Sequence, residues 1–261
     1  MALLTLAGFM SLAAAQPPPA PSDPEIVVRA QQEQAIRAFV AAVAEAGRTG
    51  QLARWDREIC PTIVGIEQSQ ADFMALRIGE VAASLDLRAR ISGCRTTMLV
   101  VVTNDAAGLA THFARTWPIT LRTDGRARLN LFAATSRPVR WISVTDLGGG
   151  ALPNSRLTQA TDPHFRAMIV IVDARQLAGF GLGELSDYVA MVALANPRLA
   201  ATRQQESILS MFDRPRPEGG RFILTGNDRS YLEGLYRTDP HLSAQAQRGS
   251  IERHMGRDAS H

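Results

Sequence analysis

The stretch RAMIVIVDARQLAGFGLGELSDYVAMVALAN, residues 166–196, decides the fold. It opens with a continuous apolar run, Ala167 to Val172, which predicts a strand buried on both of its faces. A glycine-rich turn follows, and then a helix whose apolar stripe has the i, i+3, i+4, i+7 spacing of a core-facing side: Leu185, Tyr188, Val189 and Val192. This strand, turn and helix predict the buried centre of the domain.

Polar side chains near the start of that helix are the candidate functional residues. Glu184 and Asp187 lie on neighbouring turns of one helix face, as the two carboxyl groups of a general-acid pair could. Ser186, Asp187 and Tyr188 are the candidate ligand-binding residues. The favoured interpretation of the carboxylates is structural, because acidic groups stabilise the positive start of a helix and Glu184 lies in its first turn.

The glycines of the turn raise the question of a dinucleotide site. Gly179, Gly181 and Gly183 follow a strand and precede a helix, but their spacing is GxGxG rather than GxGxxG. No second strand ending in an acid follows at the required distance, so a tight strand-to-helix turn is favoured. The run 148–150 resembles an oxyanion loop, yet no GxSxG elbow accompanies it. We therefore expect no cofactor.

Composition excludes further chemistries. The chain has no lysine, so it lacks a Walker lysine, a Schiff base and a Ser-Lys dyad. No two histidines form an HxxxH pair, and Asp162 with His164 is interpreted as a pair of turn residues, so no metal site is expected. The net charge of +3 is mild and the arginines are scattered, which does not favour nucleic-acid binding.

The first residues have the pattern of an export signal. A short apolar run and Ala13-Ala14-Ala15 predict a signal peptide over residues 1–15, cleaved before Gln16. A proline-rich linker is predicted over 16–29, with no stable membrane span after cleavage. A periplasmic or secreted location follows, where Cys60 and Cys94 are expected to form a disulfide.

The rest of the chain interleaves helical and strand patterns in one domain, residues 30–256, with a frayed tail at 257–261. The patterns predict a helix over 30–47 with Gly47 as C-cap, a second capped by Ser69 with Asp72 as capping-box partner, and a third capped by Asn104 and Asp105 that runs to about Trp117. Later helices are predicted after the cap Thr225, with Asp228 as its partner, and over 243–255. Strands are predicted over 59–65, 98–103, 119–122 and 139–144. Pro61 favours an edge position for the first strand. The order predicts an α+β fold, a small mixed sheet with long helices packed on one side.

Three stretches carry a resemblance to a known family. CPTIVGIEQSQADFMALRIGEVAASL with GC and MLVVVT, then LGELSDYVAMVALAN, then ESILSMF with LTGNDRSYLEGLY, are similar to an exported bacterial protein family with a zincin-like domain, as in metalloproteases built around an HExxH helix. On that helix Ser186 takes the place of the first histidine, Asp187 that of the catalytic glutamate and Ala190 that of the second histidine. Serine and alanine cannot replace imidazole ligands, so the resemblance implies a degenerate zincin without its catalytic zinc.

Three functions are compatible with these observations. The leading hypothesis is a non-catalytic exported domain that binds a peptide, a protein or an envelope component in the former cleft, with exposed aromatic and arginine side chains near Ser186 and Asp187. The alternative is a metal-free hydrolase centred on Asp187 with Glu184 and an arginine, which predicts an acid of raised pKa and a defined pocket. A structural or assembly factor of the envelope is the third, and it predicts a contiguous apolar patch.

Overall fold

A computed structural model describes residues 24–47, 49–116, 125–148, 159–199, 201, 206–218 and 220–259. These residues form seven α-helices, namely α1 (Pro24–Val43), α2 (Gln68–Ala83), α3 (Ala106–Thr116), α4 (Gly125–Ala134), α5 (Leu182–Ala195), α6 (Gly226–Arg237) and α7 (Ala244–Asp258). Four strands accompany them, β1 (Pro61–Val64), β2 (Met98–Thr103), β3 (Val139–Asp146) and β4 (His164–Asp173). The expected signal peptide and the strand expected at 119–122 lie outside the described residues.

The four strands form one mixed sheet in the order β1-β2-β4-β3. Strand β2 is parallel to β1 and to β4, and β3 is antiparallel to β4, with Val170 facing Val100 on one side and Trp141 on the other. Pro61 begins the edge strand, as expected for a residue that cannot donate a backbone hydrogen bond. Strand β2 is central, in agreement with its continuous apolar sequence.

Both faces of the sheet are covered by helices, but unequally. On one face Met168, Val170 and Val172 join the large core that also contains apolar side chains of α1, α2, α5, α6 and α7. On the other face Ile169 and Ile171 pack with apolar residues of the shorter helices α3 and α4. The predicted α+β class with a mixed sheet is therefore confirmed, and its long helices share one core. Helix α4, which starts at the expected turn residue Gly125, was not predicted from the sequence.

The predicted disulfide is present. Cys60 and Cys94 are bonded with a Cα–Cα distance of 6.0 Å and a sequence separation of 34. Cys60 immediately precedes β1, and Cys94 lies in the connection from α2 to β2. Closing a loop of this length stabilises a fold by about 3–4 kcal/mol in the chain-entropy model.

Two helix starts differ from expectation. Helix α1 begins at Pro24, inside the range expected to be linker, because a proline at the first helical position needs no hydrogen bond for its missing N–H. It ends at Val43 rather than Gly47, whose N–H donates to the Gln51 carbonyl at 3.0 Å. Helix α2 begins at Gln68, so Ser69 lies inside the helix and is not its cap.

Other predicted caps are confirmed. Thr225 and Asp228 form the capping box of α6. Ser243, which was predicted only as the start of a helix, caps α7 through a hydrogen bond from the Ala246 N–H. Before α3, Asp105 accepts a hydrogen bond from the Gly108 N–H at 2.9 Å. In the described residues, no helix combines the length and apolarity needed to cross a membrane.

Candidate functional site

Helix α5 is the most deeply buried helix of the described chain. Every residue from Glu184 to Ala195 is buried, so the helix has no solvent face after its first turn. A helix in this position is expected to be apolar on all sides. The two carboxylates, Glu184 and Asp187, are therefore the feature that needs an explanation.

Glu184 is 3 % exposed and has four hydrogen bonds. Its Oε2 accepts from the Gly181 N–H at 2.6 Å, which helps to start the helix as predicted. Arg216 donates from Nη1 to Oε1 at 2.5 Å and from Nη2 to Oε2 at 2.9 Å. The Phe222 N–H donates to Oε1 at 2.8 Å. The carboxylate thus joins the start of α5 to the chain around 216–222.

Arg216 is held in place by more than its carboxylate partner. Its guanidinium lies 5.9 Å from the centre of the Phe180 ring and 5.7 Å from that of Phe222, and it donates to the Gly179 carbonyl. Burial alone would raise the pKa of Glu184, but the hydrogen bonds from Arg216, Gly181 and Phe222 outweigh burial and lower that pKa. Glu184 is therefore an ionised anchor rather than a proton donor.

Asp187 is bound in the same way one turn later. It is 2 % exposed, and Arg77 of α2 donates from Nε to Oδ1 at 2.6 Å and from Nη2 to Oδ2 at 3.3 Å. The Leu224 N–H also donates to Oδ2 at 3.3 Å. The hydrogen bond to Asp187 raises the pKa of Arg77, whose guanidinium also contacts Glu80 at 2.9 Å. Asp187 thus joins α5 to α2 and to the chain before α6.

The other two predicted binding residues are internal. Ser186 donates from Oγ to the Leu182 carbonyl at 2.7 Å, within its own helix. Tyr188 is fully buried, with its ring centre 5.1 Å from that of Phe212, and burial raises the pKa of its hydroxyl. The side chains of Ser186, Asp187 and Tyr188 all point into packed protein, so their expected contact with a ligand stays a prediction.

The exposed structure next to α5 is an extended segment that the sequence analysis did not identify. Along residues 221–224 the side chains alternate between exposed and buried, and Phe222 and Leu224 point inward. Their N–H groups bond to Glu184 and Asp187, while Ile223 between them is 58 % exposed. Within the described part of the chain Ile223 makes no hydrogen bond. Residues 222–224 are all apolar, so the sequence lacks the alternation of polar and apolar residues that would have predicted a strand here.

Helix α2, which is joined to α5 by the Arg77–Asp187 ion pair, also carries exposed apolar side chains. Phe73 is 46 % exposed and lies four residues before Arg77, and Leu76, the residue immediately before Arg77, is 50 % exposed. The Phe73 ring approaches Gly183 in the first turn of α5, where an added Cβ would be 4.0 Å from it. We call Phe73, Leu76 and Ile223 the rim of α5.

Two cavities in the described structure lie elsewhere. The larger, of about 730 Å³, is between α1 and α7 and is lined by the arginines Arg29, Arg37, Arg253 and Arg257 together with glutamates and apolar groups. The smaller, of about 210 Å³, includes Asn196 beyond the end of α5. Neither is lined by Glu184 or Asp187.

The histidine and acid considered as turn residues are close to a strand start. His164 is the first residue of β4, and its Nε2 lies 3.4 Å from Oδ2 of Asp56. Asp162 donates its N–H to the Leu147 carbonyl at 3.0 Å. One histidine beside one carboxylate is a common pair and does not by itself define a metal site.

Comparison of the chain with protein-family models, with curated proteins and with solved structures gives no significant match. Fold and site together define an α+β domain with a mixed four-stranded sheet and a buried helix. The two carboxylates of that helix are each paired with an arginine.

Proposed function

We propose that this protein is an exported, non-catalytic domain on a degenerate zincin-like scaffold, and that it binds an extended peptide segment of another protein along residues 221–224. The observation that carries the proposal is an extended segment whose backbone groups are only partly used in hydrogen bonds. Its inward N–H groups, those of Phe222 and Leu224, bond to α5, and its outward residue Ile223 is exposed and makes no hydrogen bond to the described chain.

A non-catalytic role is supported by the state of the two carboxylates. Glu184 and Asp187 each receive hydrogen bonds from an arginine and from backbone N–H groups. The pKa of Glu184 is lowered, whereas a general acid at neutral pH needs a raised one. The metal-free hydrolase hypothesis requires one of these groups to release its partners before it could act, so the geometry does not favour that alternative.

A peptide ligand is supported by the exposed surface at the extended segment and at the rim. An exposed extended segment binds another strand through main-chain hydrogen bonds, with specificity from alternate side chains. Ile223 offers such a backbone, and the rim residues Phe73 and Leu76 offer apolar contact area. Arg221 is exposed and makes no ion pair within the described residues, so a peptide with an acidic residue beside its apolar ones fits best.

Export is supported by the disulfide. Cys60 and Cys94 are bonded, and such structural bridges persist in oxidising compartments such as the periplasm or the cell exterior. An extracytoplasmic domain would meet its peptide partner there.

The proposal is tested by selecting a displayed library of random peptides on the purified protein and measuring the affinity of synthetic copies. We expect micromolar binders with alternating apolar residues and at least one acid. Ile223→Asp should weaken their binding at least tenfold, since it places a buried charge in the contact. Ile91→Asp is the matched control, because Ile91 is 46 % exposed and outside the rim.

Two results would overturn the proposal. One is a selection that enriches no peptide above a disulfide-bonded control protein. The other is a set of peptides that bind the Ile223→Asp and wild-type proteins equally well, with thermal unfolding showing that both are folded.

A further inference from the structure

Helices α6 and α7 bring together three groups that the sequence analysis did not connect. His254 and Asp258 are four residues apart on one face of α7, and Glu233 lies on α6. His254 Nε2 is 3.5 Å from Oε2 of Glu233 and 3.4 Å from Oδ2 of Asp258. One ligand atom of each residue lies within 4.8 Å of the others.

The histidine is the unusual member of this cluster. The side chain of His254 is 8 % exposed, and its buried Nε2 has no hydrogen-bond partner although it points at two carboxylates. Buried polar nitrogens in native proteins nearly always have a partner. Around it, Ser230 donates to Asp258 Oδ2 at 2.7 Å, and Arg237 Nη1 lies 3.5 Å from Glu233 Oε2.

We propose that Glu233, His254 and Asp258 bind a divalent transition-metal ion, with zinc the preferred one. Zinc takes imidazole nitrogen and carboxylate oxygen at about 2.0–2.2 Å, so two of its tetrahedral ligands lie about 3.3–3.5 Å apart. The two distances from His254 Nε2, 3.4 and 3.5 Å, are of that size. An imidazole with two carboxylates favours zinc and its neighbours over magnesium or calcium, which prefer oxygen alone.

The competing explanation is a protonated histidine between two acids. A single proton on Nε2 would draw one carboxylate into a charge-assisted hydrogen bond of about 2.7–2.9 Å. His254 Nε2 instead lies 3.5 Å from the Glu233 carboxylate and 3.4 Å from the Asp258 carboxylate, and both distances are longer than such a hydrogen bond. Nearly equal distances from Nε2 to the two carboxylate oxygens are expected when a metal ion lies among the three ligand atoms.

The proposed ion would join α6 to α7. Three protein ligands leave a fourth zinc position for water or an incoming group. The site is separate from the rim and does not depend on peptide binding. This site could not be predicted from the sequence, because a His-x-x-x-Asp pair is common on helices and Glu233 is remote from both residues in the chain.

The test uses untagged protein treated with chelator and then dialysed. Calorimetric titration with zinc chloride should show one equivalent bound with a dissociation constant below about 1 µM, and zinc should raise the unfolding temperature through linkage. His254→Gln and Asp258→Asn should each weaken zinc binding by about 100-fold or more, in line with the loss of a ligand. His164→Gln is the matched control and should leave the affinity unchanged, since His164 Nε2 lies 3.4 Å from Asp56 Oδ2 and is not part of the proposed site.

Cobalt gives a second readout that a merely structural role of His254 would not produce. Bound Co²⁺ should show the visible absorption of a tetrahedral site, and Glu233→Gln should alter that spectrum. The proposal is overturned if folded wild-type protein binds no zinc at micromolar concentration. It is also overturned if His254→Gln, with an unchanged circular-dichroism spectrum, keeps the wild-type affinity.

Discussion

Arg77 of α2 and Asp187 of α5 form an ion pair, with Nε and Oδ1 2.6 Å apart and the carboxylate 2 % exposed. The pair fixes the position of α2 against the most buried helix of the described chain. Removal of either partner should therefore change stability rather than any reaction rate.

Arg77→Met should destabilise the protein by about 2–4 kcal/mol, because it leaves the buried Asp187 carboxylate without its cation. Asp187→Asn should cost less, since the freed Arg77 is 33 % exposed and can be hydrated. Urea unfolding measures both. The control is Glu80→Gln, which removes the more exposed partner of Arg77 and should change stability by less than about 0.5 kcal/mol. Equal effects of Arg77→Met and Glu80→Gln would contradict the assigned role.

Glu184→Gln should destabilise the protein by about 2–3 kcal/mol, because it weakens charge-assisted hydrogen bonds from Arg216 and places an amide among N–H donors. Glu218→Gln is the matched control, as Glu218 is exposed in the same connecting segment. Denaturant unfolding compares the two variants. A Glu184→Gln protein as stable as the control would show that this carboxylate is not an anchor.

Acid should lower the free energy of unfolding, partly because it protonates Asp173 at the end of β4. The hydrogen bond from Arg175, with further bonds from Gln176 and the Arg175 backbone, lowers the pKa of Asp173 to about 2. A lowered folded-state pKa means that the stabilisation is present above the ordinary value of 3.8 and is lost as the pH falls towards 2. Asp173→Asn should therefore flatten the fall of stability with pH in that window. Parallel curves for variant and wild type would refute this assignment.

Reduction of the disulfide should lower the free energy of unfolding by about 3–4 kcal/mol. The bridge spans the β1–α2–β2 unit, so its loss mainly enlarges the unfolded ensemble of that unit. The Cys60→Ala/Cys94→Ala variant measures the effect without reductant, and wild type with dithiothreitol should match it. Alkylation of both thiols in unreduced, denatured protein would show that the bridge had not formed.

Local signals account for what was predictable. The apolar run of β4, the stripe of α5, the Thr225–Asp228 capping box and the cysteine pair each follow from chemistry within a few residues or from one compartment argument. The structural interpretation of Glu184 was likewise available, because an acid in the first turn of a helix has a nearby donor in Gly181.

The contacts that could not be predicted join residues that are far apart in the sequence. Arg77 meets Asp187 across 110 residues, and Arg216 meets Glu184 across 32, so neither pairing leaves a periodic trace in the sequence. Burial of Ser186 follows from the packing of α5 on all sides and not from its residue type, whereas burial of Tyr188 agrees with its place on the predicted apolar stripe. The capping box expected at Ser69 is absent because the N-cap of α2 is Glu67, two residues earlier in the chain.

The measurement that tests the central claim most directly is amide hydrogen exchange, with and without the tightest selected peptide. A strand added along residues 221–224 bonds to the outward backbone, so exchange at Ile223 should slow markedly while α1 and α7 stay unchanged. Protection confined to the arginine-lined cavity between α1 and α7, with none at Ile223, would contradict the account.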